Sequence, residues 1–407
     1  MSHPTTPQPP AMSRAMVLLF AIACGLIVAN LYYAQTLVGP ISAATGLSPE
    51  SAGLIVTLTQ VGYTLGLVFV VPLGDLLENR RLIVCALLFT ALALAAAATS
   101  SGAALFLAAA LAIGLGSVAA QVLVPFAAHL SSEATRGATV GKVVSGLLLG
   151  IMLARPAASL IAAHSSYHVV FGGAALLMLA LAGLLWRQLP LRQPSSPLPY
   201  FPLIASLLHL FLTTPLVRRR AAYHAGLFGA FSLFWTVTPL MLAGPAFHLS
   251  QTGIAIFALV GMAGAVASPV AGRLADAGHT RMATAGALAL GVIGFALPMA
   301  APGARPLALG LLVAASIVLD MAVAANLVLG QRAIFSLGAA ERSRLNGIYF
   351  ALFFAGGAAG SAMGGWMYAR HGWHAALLTG MAFCGLALLY WLTELGGRSA
   401  RLARPAA

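Results

Sequence analysis

The stretches VPLGDLLENRR at 71–81 and AGRLADAGHTR at 271–281 share one spacing: an Asp just past an apolar run, with an Arg five positions further on. They stand roughly 200 residues apart. Working outward, AAQVLVP at 119–125 is echoed by AANLVLG at 324–330, and EATRG at 133–137 by ERSRLNG at 341–347, at nearly the same offset. Three matches in one order at one offset mark a duplicated unit.

The solvent of that unit follows from composition. Of 407 residues, 60% are apolar and only 7% charged, too little polar skin for a chain of this size in water. About 20 residues cross the roughly 30 Å of a bilayer's hydrocarbon. Turn signals cut the chain into runs of that size at 15–38, 51–73, 82–99, 103–128, 139–163, 169–187, 219–243, 251–272, 282–300, 306–329, 346–368 and 374–393. An all-α polytopic membrane protein of twelve transmembrane helices in two pseudo-symmetric six-helix bundles is expected.

With the N-terminus inside, Arg80, Arg81, Arg136, Lys142, Arg187, Arg192, Arg218, Arg219, Arg220, Arg273, Arg281, Arg332, Arg342 and Arg344 fall at cytoplasmic ends, with the C-terminal Arg398, Arg401 and Arg404. Only Arg305 and Arg370 fall outside. The positive-inside rule then places both termini in the cytoplasm of a bacterial inner membrane. The run from 200 to 215 is apolar for about 16 residues and reaches only about 24 Å, so it is expected to lie on the cytoplasmic surface. The expected organisation is a disordered tail at 1–13, a bundle at 14–187, a linker at 188–218, a second bundle at 219–394 and a basic tail at 395–407.

Other classes are disfavoured. The net charge is +13, but the basic residues form no stripe with interleaved aromatics, which argues against nucleic acid. Cys24, Cys85 and Cys384 lie far apart in apolar stretches without metal-ligand spacing. No nucleotide loop, metal cluster or nucleophile–base set points to an enzyme, a cofactor or a metal. A small-molecule substrate, protons and the bilayer are the expected partners, with the chain acting as a monomer.

In the second half, Gly272, Leu274, Ala275, Asp276, Gly278 and Arg281 resemble the signature loop of the major facilitator superfamily, G-x-L-A-D-x-G followed by a basic residue. The first copy keeps Leu73, Gly74, Asp75, Arg80 and Arg81, with Val71 and Glu78 in place of its glycines. NLYYAQ, TLTQVGYTLG, GLLLG and GSAMGGWMY are similar to a bacterial branch grouped with drug/proton antiporters. The resemblance implies that Asp75 meets the start of the eleventh helix near Asn346 and Gly347, and Asp276 the start of the fifth near Gly137, closing the cytoplasmic gate. A carboxylate gains there from unpaired N–H groups and the helix dipole. Two departures stand against antiport by inheritance: Ala110 replaces the helix 4 Arg, and the helix 5 pattern Gly137, Gly146, Gly150 continues into Ile151, Ala154 and Arg155 with Pro156 five residues late.

Asp320, inside an apolar run, is the candidate to bind and release a coupling proton, since intramembrane acids usually mark ion or substrate paths. Arg155 is the other embedded charge, and it needs a partner or water. Depth counting sets the two about 15 Å apart in height, which disfavours a direct ion pair. The resemblance implies a pore lined by the first and fourth helices of each half. Candidate cavity residues are Asn30, Tyr32, Tyr33 and Gln35 on the first helix, Gln121 on the fourth and Asn326 on the tenth, the last two opposite one another by pseudo-symmetry. Gln60 and Tyr63 on the second helix, and Tyr223 and Trp235 on the seventh, complete the set. The expected function is proton-coupled efflux of a small organic compound by alternating access. The alternative is a proton-coupled importer or facilitator of a sugar or organic anion with Arg155 on the carboxylate. A third hypothesis is a membrane sensor that transports nothing.

Overall fold

The computed structural model describes residues 12–194, 198–300, 305–337 and 342–402. Residues 1–11 of the expected tail, residues 195–197 of the linker, Glu341 and Arg404 lie outside them, as do the side chains of Arg342, Arg398 and Arg401. The described chain is all helical. The first half comprises α1 (Arg14–Ala29), α2 (Val38–Thr45), α3 (Leu54–Phe69), α4 (Asn79–Thr99), α5 (Ala103–Ser117), α6 (Ala119–His129), α7 (Glu133–His164) and α8 (Tyr167–Gln188). The linker carries α9 (Tyr200–Thr213). The second half comprises α10 (Pro215–Ala243), α11 (Gln251–Gly261), α12 (Ala267–Asp276), α13 (Thr280–Ala296), α14 (Arg305–Phe335) and α15 (Arg342–Leu402).

Among the described residues, ten helices are long and apolar enough to cross a membrane by length and composition. The expected spans at 103–128 and 251–272 are each divided, between α5 and α6 and between α11 and α12, and two further departures are larger. The run expected at 15–38 is interrupted: α1 stops at Ala29, and the chain passes through a short 3-10 turn at Tyr33–Thr36 before α2. Pro40, which has no N–H for the carbonyl of Thr36, keeps a continuous helix from running through Thr36, while the end of α1 at Ala29 lies well upstream of it. The spans expected at 346–368 and 374–393 lie on α15, which is divided by Gly372 with φ 78° and ψ −171°, a left-handed geometry open to glycine.

The duplication reappears in packing. Lipid is as apolar as leucine, so helices associate through close van der Waals contact, which small residues permit. A Cβ on Gly25 of α1 would stand 2.7 Å from the Gly146 carbonyl oxygen of α7. In the second half, Gly356 and Gly360 of α15 press on the backbone of Ala225 and Gly229 of α10 in the same manner. Outward faces carry exposed leucines such as Leu92, Leu176 and Leu386, as expected of a lipid-facing surface.

Candidate functional site

Where the two halves meet, α7 places Arg155 over residues of α10. Its guanidinium carbon lies 4.1 Å from the ring centroid of Trp235, 5.0 Å from that of Phe231 and 5.8 Å from that of Tyr32. Arg155 is 4% exposed and its Nε has no hydrogen-bond partner. A desolvated cation on an aromatic face gains on the order of 2 kcal/mol. Trp235, fully buried, turns its other edge to α14 and donates Nε1–H to Asp320 Oδ1 at 3.2 Å.

Arg155 and Asp320 therefore act on each other electrostatically, with the indole between them and no direct ion pair within 4 Å. The two charges, expected about 15 Å apart in height and without a direct ion pair, are linked through the reach of the arginine and tryptophan side chains. Thr36, in the break after α1, donates to the Arg155 carbonyl at 3.3 Å, so the interruption of the first helix helps to hold α7 at this point.

The other candidates divide into three groups. Gln60 and Tyr63 reach across the halves: Gln60 Nε2 donates to Ser232 Oγ at 2.7 Å, and the Tyr63 ring lies 4.4 Å from that of Phe354 on α15. Gln121 Nε2 donates to the Tyr63 hydroxyl at 3.0 Å. Gln35 and Asn326 are buried with neither amide atom partnered among the described residues, and Tyr33 is partly buried, packed against the cores of both halves. Asn30 and Tyr223 stand apart from the centre. Asn30 Nδ2 turns inside the first half to Met178 Sδ at 3.4 Å. The Tyr223 hydroxyl donates to Glu394 at 2.6 Å, some twelve residues or about 18 Å along α10 from Trp235.

At the end of the molecule that carries the gate loops, a vestibule of 370 Å³ opens between the halves, lined in part by Asp75, Gln121, His129, Arg136, Arg192, Arg344 and Gly347. Asp75 thus faces the wall that includes Gly347. Asp276 instead pairs with Arg332 of its own half, and a Cβ on Gly137 would meet no described atom within 4 Å. Gly272 backs onto the same Arg332, Gly278 takes φ 80° at the turn, and Arg281 lies 3.8 Å from Glu394. Arg80 stacks on Trp186 at 4.7 Å, and Arg81 stays within 3.9 Å of Glu78.

The first loop is bound to the linker, a feature that sequence reasoning missed. Glu78 caps α4, accepting from the N–H groups of Arg80 and Arg81 at 2.9 and 3.0 Å, and takes a third bond from Arg192 N at 3.2 Å. Burial pushes its carboxyl pKa up, but these three donors and the Arg80 guanidinium outweigh it and hold the value below the ordinary 4.5. Arg192 Nη1 also donates to Asn79 Oδ1 at 2.8 Å, and Asn79 N to the Arg192 carbonyl at 3.0 Å. In register with Gly278, two residues past Asp276, the first loop has Leu77, and its neighbour Glu78 is the residue that fastens the linker. Its position one residue before a helix was the available signal.

At the opposite end the halves touch beside a smaller cleft of 220 Å³ lined in part by Thr36, Pro40, Pro239 and Gln251. Ser159 Oγ lies 2.8 Å from both the carbonyl and Oε1 of Gln251, Thr57 and Ser361 hydroxyls meet at 2.8 Å, and Arg370 stands 3.7 Å from Glu50. All three contacts join one half to the other.

The family profile described as Major Facilitator Superfamily matches residues 16–334. The chain is 39% identical over 381 residues to an uncharacterized transporter, YgaY, of Escherichia coli O157:H7, covering 93% of this chain and 95% of that one. It is 30% identical over 364 residues to a probable transporter, SCO4007, of Streptomyces coelicolor, covering 89% and 84%. Among solved structures, the human organic anion transporter MFSD10 superposes with a TM-score of 0.67 at 19% identity, covering 93% of this chain and 100% of that one. A bacterial homologue of the lysosomal transporter Spinster, inward-facing and unoccupied, gives a TM-score of 0.71 at 13% identity, covering 96% and 98%.

Proposed function

This chain belongs to the major facilitator superfamily, and we propose that it is a proton-coupled secondary transporter that carries a small organic anion across the bacterial inner membrane. It is a multi-pass transport protein, not an enzyme. The observation that carries the anion reading is Arg155, a buried cation between the halves that is held by ring faces and has no ion-pair partner within 4 Å among the described residues. Such a group suits a substrate carboxylate, which a guanidinium can hold through two parallel hydrogen bonds.

The sign of the coupling follows from charge. Asp320, when ionised, repels an anion arriving at Arg155, and when protonated it does not. At roughly 8 Å and an effective dielectric near 20, that repulsion is about 2 kcal/mol, or roughly thirtyfold in affinity. Proton and anion therefore favour each other's binding, reciprocally. That is the condition for symport, and an inward proton gradient then drives uptake. Antiport needs the two to compete, as a cation would at Asp320, and Arg155 opposes a cation there. The import alternative is thus preferred to efflux.

With the gate loops in the cytoplasm, the open vestibule faces inward. Its closure would bring Asp75 to the start of α15 near Asn346 and Gly347, and free Asp276 from Arg332 for the start of α7 near Gly137. A monomer suffices, because one chain supplies both halves of the site.

Counterflow in proteoliposomes tests the reading. Arg155→Ala is expected to lose tenfold or more in anion affinity. Asp320→Asn should keep exchange while losing the pH dependence of net uptake. An Arg155→Ala protein with unchanged affinity for every transported compound would sink the anion assignment.

A further inference from the structure

The vestibule carries more charge than passage of a substrate requires. Arg136 comes from α7 of the first half, Arg192 from the linker and Arg344 from the start of α15 in the second half, with His129 closing α6 beside them. Among the described lining residues, Asp75 is the one carboxylate. Arg192 and Arg344 are the cations whose fields act on it, so Asp75 sits where an anion from outside would be drawn. Much of the remaining wall is apolar, with Leu67, Val122, Leu203 and Leu207.

Low-dielectric walls around a net positive lining focus the field and concentrate anions. Orientation in the membrane asks for arginines at this end, and a rim of outward-pointing side chains would satisfy it. It does not ask for three, from three separate segments, to converge on one 370 Å³ cavity between the halves.

We propose that the vestibule is a second anion site, which takes a small carboxylate- or phosphate-bearing anion on Arg136, Arg192 and Arg344 in competition with Asp75. Its ligand enters from the cytoplasm. Because the three arginines belong to both halves and the linker, a bound anion holds the halves at their present separation and so favours the open vestibule. The proposal stands on its own cavity and is read by equilibrium binding without any gradient, so the counterflow test of Arg155 can fail without affecting it. A phospholipid headgroup has the same chemistry and could reach the site from the side.

The test is calorimetric titration of the purified full-length protein with citrate and with inorganic phosphate, in detergent and in nanodiscs. Wild type should bind citrate with an affinity that falls as salt is added. Asp75→Asn removes the competing charge and should tighten binding roughly tenfold, a gain that misfolding cannot produce; Arg136→Gln should weaken it by a similar factor. Citrate binding that persists in discs containing phosphatidylglycerol supports a free cytoplasmic anion. Binding present in phosphatidylcholine discs and lost on adding phosphatidylglycerol supports the same site with a headgroup as its ligand. The absence of citrate and phosphate binding in detergent and in phosphatidylcholine discs, or an Asp75→Asn protein that binds no tighter than wild type, overturns the proposal.

Discussion

Trp235 serves the centre with two different parts of one ring. Its π face receives Arg155, and its pyrrole N–H reaches Asp320. The two contributions can be separated, because phenylalanine keeps a face and has no N–H to donate. Trp235→Phe is expected to change anion affinity only a few-fold while altering the pH dependence of transport; Trp235→Leu should lose tenfold or more in affinity as well, since it removes the cation's support. Equal effects of the two substitutions on both quantities would show that the indole acts only as bulk. Neither contact was legible in the sequence. Arg155 and Asp320 announce themselves as charges in apolar runs, but a cation–π contact between α7 and α10 has no spacing to read. Tyr223 was misplaced for a related reason: it lies twelve positions from Trp235, so it points about 120° away as well as to another depth.

At the scale of elements, the breaks matter as much as the helices. The long apolar runs were readable because few charges interrupt them, and the linker helix because it is too short to span. The interruption after Ala29 was not readable, since neither Gly nor Pro stands between Asn30 and Leu37 and Pro40 comes only beyond it. Glu78 was likewise read as decay of a motif. Its three backbone bonds predict that Glu78→Ala costs on the order of 1 kcal/mol, as other side-chain caps do, and exposes residues 188–199 to protease.

The pH dependence of this cap has a defined sign. Glu78 is more acidic folded than its ordinary value of 4.5. Its contribution is therefore complete above that value and is lost as pH falls through the lower, folded value. Linker protection measured by limited proteolysis should fall in acid for wild type. In Glu78→Gln that fall should be absent.

For the whole molecule, the contacts at the end opposite the vestibule bear on which state is populated. Ser159 with Gln251, Thr57 with Ser361 and Glu50 with Arg370 all join the halves opposite the vestibule. Cysteines at 159 and 251, in a chain with Cys24, Cys85 and Cys384 replaced by serine, should form a disulfide under mild oxidation and stop counterflow. Reduction should restore it. Unimpeded transport by the oxidised protein would mean that this end need not open.

The placement of Trp235 also gives the molecule an internal gauge. On excitation an indole shifts electron density from its pyrrole ring toward its benzene ring, and here a carboxylate stands at the pyrrole edge while a guanidinium lies over the ring system. Discharging that carboxylate, or drawing the guanidinium toward a bound anion, alters the field along this shift and so the colour of the emitted light. One residue among the five tryptophans would thus record in its spectrum both events of the proposed coupling.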